Sequence, residues 1–341
     1  MLKERPLFNV GGNYNNRTIL NGNTTGLKDF NRIKYVNYDK LYDAMMNNHW
    51  RANEINMVQD SQDYKSLDPD IKRAFNKTFS FLIFLDSIQA DNLFHINSVV
   101  YLEEIQQCLY LQAAQEVEHN KAYAYTLASV ASPLEINKIM DEWRTDPVLL
   151  KRIQLITKGY DTFKSHKTKE TFAKVLLSNY LLEGIYFYTG FTFVYSLSRM
   201  GLMPGTVNNV KLINRDENTH LSLFQMLFND FVKENKGTFM KSLVNEMHLL
   251  IKEAVEMEIE WGKHVYGNKI KGMSDKAMED YIKYLANKRS EKIGFPPIYP
   301  EATKNPMVWV DKFANTDGKA GKMVTDIFEK ENTDYTKGLK R

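Results

Sequence analysis

Apolar residues recur three or four positions apart along most of the chain, which is the period of an α-helix with one buried face. This pattern predicts nine helices, whose bounds are 39–48, 69–98, 102–130, 133–145, 147–165, 168–199, 205–235, 238–266 and 274–291. The alternation of β-branched and polar residues that indicates strands is absent from the sequence. Several predicted helices have about 30 residues, so we expect an all-α bundle of long antiparallel helices.

Both ends of the chain depart from the helical pattern. Residues 1–38 are rich in Asn and Gly and are expected to form an irregular N-terminal arm. From residue 293 onwards, four prolines interrupt the pattern within "GFPPIYPEATKNPMVW", and the last 30 residues are expected to form a mobile tail. We therefore predict three parts: an arm (1–38), a helical domain (39–292) and a C-terminal tail (293–341).

Composition narrows the possible functions. Lys and Arg total 45 against 42 Asp and Glu, a net charge of +3, and no dense basic stripe predicts nucleic-acid binding. Cys108 is the only cysteine, so the chain has no internal disulfide and no CxxC motif, as expected of a protein in a reducing cytoplasm. The N-terminal residues show no apolar signal segment. We expect a cytoplasmic protein with neither a nucleic acid nor a membrane as its partner.

One apolar stretch, residues 175–198, is long enough to resemble a membrane span. Glu183 lies inside it, and a carboxylate at the centre of a bilayer costs about 2.5–3.5 kcal/mol on insertion scales. We therefore interpret the stretch as a helix buried in a large protein core.

Two ExxH motifs lie within predicted long helices. The first, in "EVEHNKAY", contains Glu116 and His119, and the second, in "INRDENTHLSLF", contains Glu217 and His220. Residues three apart occupy one face of a helix, so each motif presents a carboxylate and an imidazole side by side. One such motif alone is commonly an exposed acid beside an unrelated histidine.

Two further acids strengthen the interpretation as a metal site. Asp86 lies in "FSFLIFLDSIQ" and Glu183 in "LLEGIYFY", where an apolar helix should not tolerate a carboxylate without a partner or a metal. One acid from each of two helices and ExxH from each of two others is the di-metal pattern of four-helix carboxylate proteins. Four carboxylates and two imidazoles favour two iron or two manganese ions per chain over zinc.

Tyr123 lies one helical turn beyond His119 and should face the same site. Phe187, Phe191 and Ile213 are expected to form a dry apolar pocket beside it. Ordinary aromatic core packing would also account for the two phenylalanines. Next to a metal pair that activates oxygen, however, such a pocket would protect an oxidised tyrosine.

The segments around these residues resemble the small, radical-generating subunit of class I ribonucleotide reductase, over about residues 5–337. The resemblance implies a ferritin-like fold, a homodimer and a tyrosyl radical on Tyr123, formed by a di-iron centre or by a di-manganese centre with an activating flavoprotein. It also implies radical transfer to a large subunit through His119, Asp216 and Trp50, and then through Tyr335 in the tail. The tail ends in "KGLKR", unlike the longer tails of the family.

The single cysteine agrees with a subunit that makes the radical while another chain reduces the substrate, because ribonucleotide reduction needs a thiyl radical and a reducing pair of cysteines. A partner chain must supply them. An alternative function is that of a ferritin-like di-metal oxidase acting on an organic substrate, and a third is iron storage or a structural role. Asp86, Trp50, Asp216 and Tyr335 favour the reductase subunit over the oxidase, and the number of helices disfavours a storage protein.

Overall fold

The computed structural model describes residues 1–314, and within them the chain folds into α-helices joined by short connections. The helices are α1 (Val36–Asn47), α2 (Val58–Ser66), α3 (Pro69–Asn97), α4 (Glu103–Val130), α5 (Pro133–Met140), α6 (Pro147–Ser165), α7 (Lys169–Leu181), α8 (Tyr188–Arg199), α9 (Pro204–Glu234), α10 (Lys241–Tyr266), α11 (Asp275–Lys292) and α12 (Val308–Ala314). The predicted all-α class is confirmed. Between residues 1 and 314 there is no strand, only an isolated bridge between Leu20 and Val100.

The prediction of one continuous helix over 168–199 is wrong. A five-residue π-helix, Leu182–Tyr186, separates α7 from α8. A π turn inserts one residue, but this segment is buried on all faces and has no single apolar stripe, so hydrophobic periodicity cannot reveal the shift. Its second residue is Glu183, which places the irregularity at the predicted metal site.

The sequence pattern also missed two short helices and extended another too far. Helix α2 is mostly polar, and α12 has only seven residues, too few to show a helical period. Helix α5 ends at Met140, and a 3-10 turn, Glu142–Arg144, replaces the end of the predicted helix. Short helices of this kind depend on tertiary contacts more than on propensity.

The long helices pack side by side around one hydrophobic core, with the most extensive contact between α3 and α4. The connection between these two helices spans only residues 98–102, so they run antiparallel. Helix α9 packs against α4, α7 and α8, which brings the two ExxH motifs towards the bundle interior. No helix in residues 1–314 is both long and apolar enough to cross a membrane.

The N-terminal arm packs closely on the bundle rather than extending from it. Ile19 and Leu20 are buried, and Arg17 forms a 2.6 Å ion pair with Glu103 at the start of α4. Backbone N–H groups of residues 34 and 35 donate to the carboxylate of Glu104. The predicted mobile tail, including Tyr335, lies largely outside the described residues.

Candidate metal centre

Four elements of the bundle each contribute a carboxylate to one buried cluster. Its predicted ligands are Asp86 on α3, Glu116 and His119 on α4, Glu183 in the π turn, and Glu217 and His220 on α9. All six side chains are at most 2% exposed. The structure therefore brings together the six residues that the sequence selected.

The ligand atoms form two overlapping groups, each compact enough for one metal ion. Asp86, Glu116, His119 and Glu217 form the first group, whose ligand atoms lie within 4.8 Å of one another. Glu116, Glu183, Glu217 and His220 form the second under the same limit. Glu116 and Glu217 belong to both groups.

The carboxylate oxygens divide between the two histidines. His119 Nδ1 lies 3.1 Å from Glu217 Oε1 and 3.4 Å from Glu116 Oε2. His220 Nδ1 lies 2.8 Å from Glu217 Oε2 and 3.3 Å from Glu116 Oε1. Each of these two acids thus directs one oxygen towards each histidine.

Several ligand atoms lack a hydrogen-bond partner of good geometry within residues 1–314. They are both oxygens of Asp86, one oxygen each of Glu116, Glu183 and Glu217, and Nδ1 of His119. Buried polar atoms in folded proteins are nearly always satisfied, so a group of convergent, unsatisfied acceptors requires an explanation. Two divalent cations fit this donor set, since hard oxygen ligands with one imidazole per ion suit iron or manganese.

Protonation within the cluster also indicates excess negative charge. Burial, together with the neighbouring carboxylates, raises the pKa values of Asp86 and Glu183 well above the usual range. Burial also acts to lower the pKa of His220, but Glu217 and Glu116 outweigh it and raise that pKa to about 9. Protons thus provide the compensating charge that bound cations would otherwise supply.

Three glutamines that the sequence analysis did not select surround the cluster. Gln89 and Gln112 donate to Glu183 Oε1 at 2.6 and 2.9 Å, and Gln115 Oε1 lies 2.9 Å from His220 Nε2. Such contacts orient ligand side chains. Helical spacing could have identified two of them, because Gln89 follows Asp86 by three residues and Gln112 precedes Glu116 by four.

A chain of polar contacts leads away from the cluster. His119 Nε2 lies 3.2 Å from Asp216 Oδ2, and Trp50 Nε1 donates to the same oxygen at 2.8 Å. The rings of Trp50 and His119 are nearly parallel, with centroids 6.1 Å apart. The three residues that the family resemblance implies as a relay therefore form one connected series of contacts.

This path ends beside the protein surface. Trp50 is 7% exposed and lines an open cavity of about 390 Å³. The charged side chains of Arg51, Glu118 and Lys121 also line this cavity. A group bound there would contact the outer end of the path.

Tyr123 lies beside Asp86 in a dry environment and is 1% exposed. Its hydroxyl makes no well-formed hydrogen bond to the described residues, while burial and the nearby Asp86 raise its pKa well above 10. The ring in edge-to-face contact with it belongs to Phe79, which the sequence analysis did not select. Phe187 and Phe191 are buried and stack on each other.

Comparison with known proteins decides the family. The family model described as "Ribonucleotide reductase, small chain" matches residues 27–306. The chain belongs to the ribonucleotide reductase small-chain family. It is 43% identical to the ribonucleoside-diphosphate reductase subunit beta of Treponema pallidum, covering 99% of this chain and 96% of the relative. The family resemblance stated from the sequence is thereby confirmed.

Solved structures agree with the fold of this small chain. The ribonucleotide reductase R2 subunit from Clostridium botulinum superposes with a TM-score of 0.90 at 40% identity, over 92% of this chain and 99% of that one. The dimanganese(II)-NrdF of Streptococcus sanguinis superposes with a TM-score of 0.74 at 20% identity, over 84% of this chain and 99% of that one, which supports the fold alone. Small chains of this family act together with a large subunit.

Proposed function

We propose that this small chain generates a tyrosyl radical on Tyr123 and delivers it to the large subunit that reduces ribonucleotides. Asp86, Glu116, His119, Glu183, Glu217 and His220 would hold two iron or two manganese ions. When bound, such a pair of ions would activate oxygen and so supply the oxidising equivalent. A di-iron centre would become active by direct reaction with oxygen, whereas a di-manganese centre would need an activating flavoprotein.

The surroundings of Tyr123 support a lasting radical. Water and dissolved reductants cannot reach a phenol that is 1% exposed and packed against Phe79. The raised pKa of Tyr123 keeps its hydroxyl protonated before oxidation, so loss of an electron must accompany loss of the phenolic proton. Because Asp86 lies beside the hydroxyl, its carboxyl group is placed to influence where that proton goes.

The observation that carries the proposal is the connected path from His119 through Asp216 to Trp50. An oxidase that acts on a substrate in its own pocket has no use for a path from the metal cluster to the surface. A subunit that exports an oxidising equivalent requires one. We propose that Tyr335, in the tail formed by 293–341, continues the path and that this tail docks on the large subunit.

The small chain is also proposed to form a homodimer. Phe94 on α3 and Tyr110 and Val117 on α4 are 72%, 52% and 47% exposed, and these two helices pack on each other. The family resemblance implies the homodimer, and exposed apolar side chains of this kind are candidates for its contact surface. Light scattering during gel filtration should give twice the 39.7 kDa chain mass, and a monomer would contradict the proposal.

Metal loading with an EPR readout tests the radical directly. Metal-free protein is loaded with Fe(II), exposed to oxygen and examined by EPR and optical spectroscopy. We expect a sharp tyrosyl signal that Tyr123→Phe abolishes while its iron content remains unchanged. Oxidation of the iron without any radical would contradict a di-iron radical centre. Two explanations would then remain: a manganese centre that needs a flavoprotein, to be tested with Mn(II), and the oxidase function.

Trp50→Phe serves as a matched variant for the transfer step. Phenylalanine keeps an aromatic ring but removes the Nε1–H that donates to Asp216. The variant should form the same amount of Tyr123 radical and yet support almost no ribonucleotide reduction with the large subunit. Full reduction activity in this variant would contradict transfer through Trp50.

A further inference from the structure

The π turn that carries Glu183 is an irregular element in an otherwise α-helical segment. It occupies Leu182–Tyr186 between α7 and α8. Single π turns are rare in proteins and often occur at functional sites, because they interrupt the regular backbone hydrogen bonds. The free backbone groups around such a turn need partners from elsewhere in the fold.

A buried ion pair on two other helices supplies such partners. Arg152 on α6 donates to the carbonyl oxygen of Tyr186, the last residue of the π turn, at 3.2 Å. Glu258 on α10 accepts, at 3.1 Å, a hydrogen bond from the backbone N–H of Thr189 in the first turn of α8. Arg152 and Glu258 also bind each other directly. The pair therefore contacts the backbone at the end of the π turn and at the beginning of the next helix.

The environment of this pair is unusual for two charged residues. The side chains of Arg152 and Glu258 are 2% and 0% exposed. The guanidinium lies over the rings of Phe81, Tyr186 and Trp261, at 4.0, 5.0 and 5.5 Å from their centroids. A buried ion pair is often no more stabilising than apolar residues of the same size, so stability alone gives little reason for it.

We propose that the Arg152–Glu258 pair is a positioning device that holds the π turn and thereby directs Glu183 into the metal cluster. If the π turn relaxed to a regular α-helix, the register of the helix would shift by one residue. One residue corresponds to a rotation of about 100° around the helix axis. Without the pair, Glu183 would turn away from its present neighbours.

The effect should be confined to one half of the cluster. Glu183 contributes to the group formed with Glu116, Glu217 and His220, but not to the group that contains Asp86 and His119. The inference rests on the proposed function in treating Glu183 as a metal ligand. The conformation of the π turn, by contrast, can be measured in metal-free protein.

The test replaces both charges with apolar side chains of similar length, in the double variant Arg152→Met/Glu258→Met. Removal of the whole pair avoids an unpaired buried charge, so the variant should fold. The matched control is Lys151→Met/Glu260→Met, which removes the neighbouring ion pair between the same two helices. That pair is exposed, with an N–O distance of 2.8 Å.

Calorimetric titration with Mn(II) measures the two metal sites separately. We expect two binding events in the wild-type protein and in the control. In the buried-pair variant, one event should weaken about 10- to 100-fold, as loss of outer-shell support does elsewhere, while the other event remains unchanged. Unchanged affinity at both sites, or equal weakening of both, would overturn the inference.

Hydrogen–deuterium exchange of metal-free protein provides the second measurement. Amides in residues 182–189 should exchange faster in the buried-pair variant than in the control, with α3 and α4 unaffected. Equal exchange in both variants would overturn the positioning role, even if metal affinity changed. Wild-type protein that binds fewer than two Mn(II) ions would contradict the proposed function, while the exchange result would still decide the role of the pair.

Discussion

Asp60 and Asp86 are both fully buried aspartates, but their surroundings differ completely. Asp60, on α2, accepts hydrogen bonds from the backbone N–H groups of Gly205 and Thr206, one to each carboxylate oxygen, at 2.8 and 2.6 Å. Asp86 has no well-formed hydrogen bond to either oxygen within residues 1–314. Burial of an acid therefore does not by itself identify a metal ligand. A candidate ligand is marked by unsatisfied oxygens that converge with those of other acids and with a histidine.

The contrast has a physical basis in helix termini. The first N–H groups of a helix have no partner inside the helix, and they carry partial positive charge that favours a carboxylate. Asp60 occupies this position at the start of α9, and Asp63 accepts from the N–H of Met203 just before it. Helix α9 is thereby fixed on α2. Asp86 lies in the middle of α3, where every nearby backbone N–H is already used.

The largest expected effect is on Mn(II) affinity, which Asp86→Asn should lower far more than Asp60→Asn. It removes the negative charge without removing a backbone hydrogen bond, and Mn(II) affinity should fall by more than about 100-fold at one site, beyond the loss caused by an outer-shell change. Titration calorimetry measures this, with Asp60→Asn as the control that binds metal normally. Normal binding by Asp86→Asn would remove Asp86 from the site.

The second-largest expected effect is the pH dependence of the unfolding free energy, which should originate in the buried ligand cluster. The pKa of His220 rises from 6.5 to about 9 on folding, so its contribution is fully present below pH 6.5 and is lost as pH rises through 9. Metal-free protein should lose up to about 3 kcal/mol of unfolding free energy over this range. Urea denaturation at several pH values measures the loss.

Two comparisons strengthen this pH experiment. His220→Gln should show a smaller decline in stability, because it removes the group that titrates. Metal-loaded protein should also resist the rise in pH, since metal binding favours the deprotonated histidine. A metal-free wild type that is equally stable at pH 6.5 and 9 would contradict the assignment of charged histidine to the cluster.

The smallest effect is expected from Asp60→Asn on stability. Both oxygens of Asp60 accept backbone hydrogen bonds, so an amide must direct its NH₂ group towards one of the N–H donors. The free energy of unfolding should fall by about 1–2 kcal/mol, whereas Asp86→Asn should leave metal-free protein at least as stable as the wild type. Chemical denaturation of both variants decides this, and equal losses would eliminate the distinction.

Local patterns were sufficient to identify the six candidate ligands. Each ExxH motif depends on helical spacing within four residues, and Asp86 and Glu183 stand out because their neighbours are apolar. The roles of Trp50 and Asp216 came from family resemblance, and the structure then placed them in contact. Gln115 was missed because its partner His220 lies 105 residues away, a distance at which no local pattern applies.

By itself, the sequence determined the all-α class, most of the long helices and the types of side chain available for a metal site. These features follow from a period of 3.6 residues and from the cost of burying charge. Only the tertiary structure decided which buried acids are satisfied, where the π turn interrupts a helix, and how Arg152 and Glu258 support it. Those outcomes depend on contacts between residues far apart in the chain, and helical periodicity carries no information about such contacts.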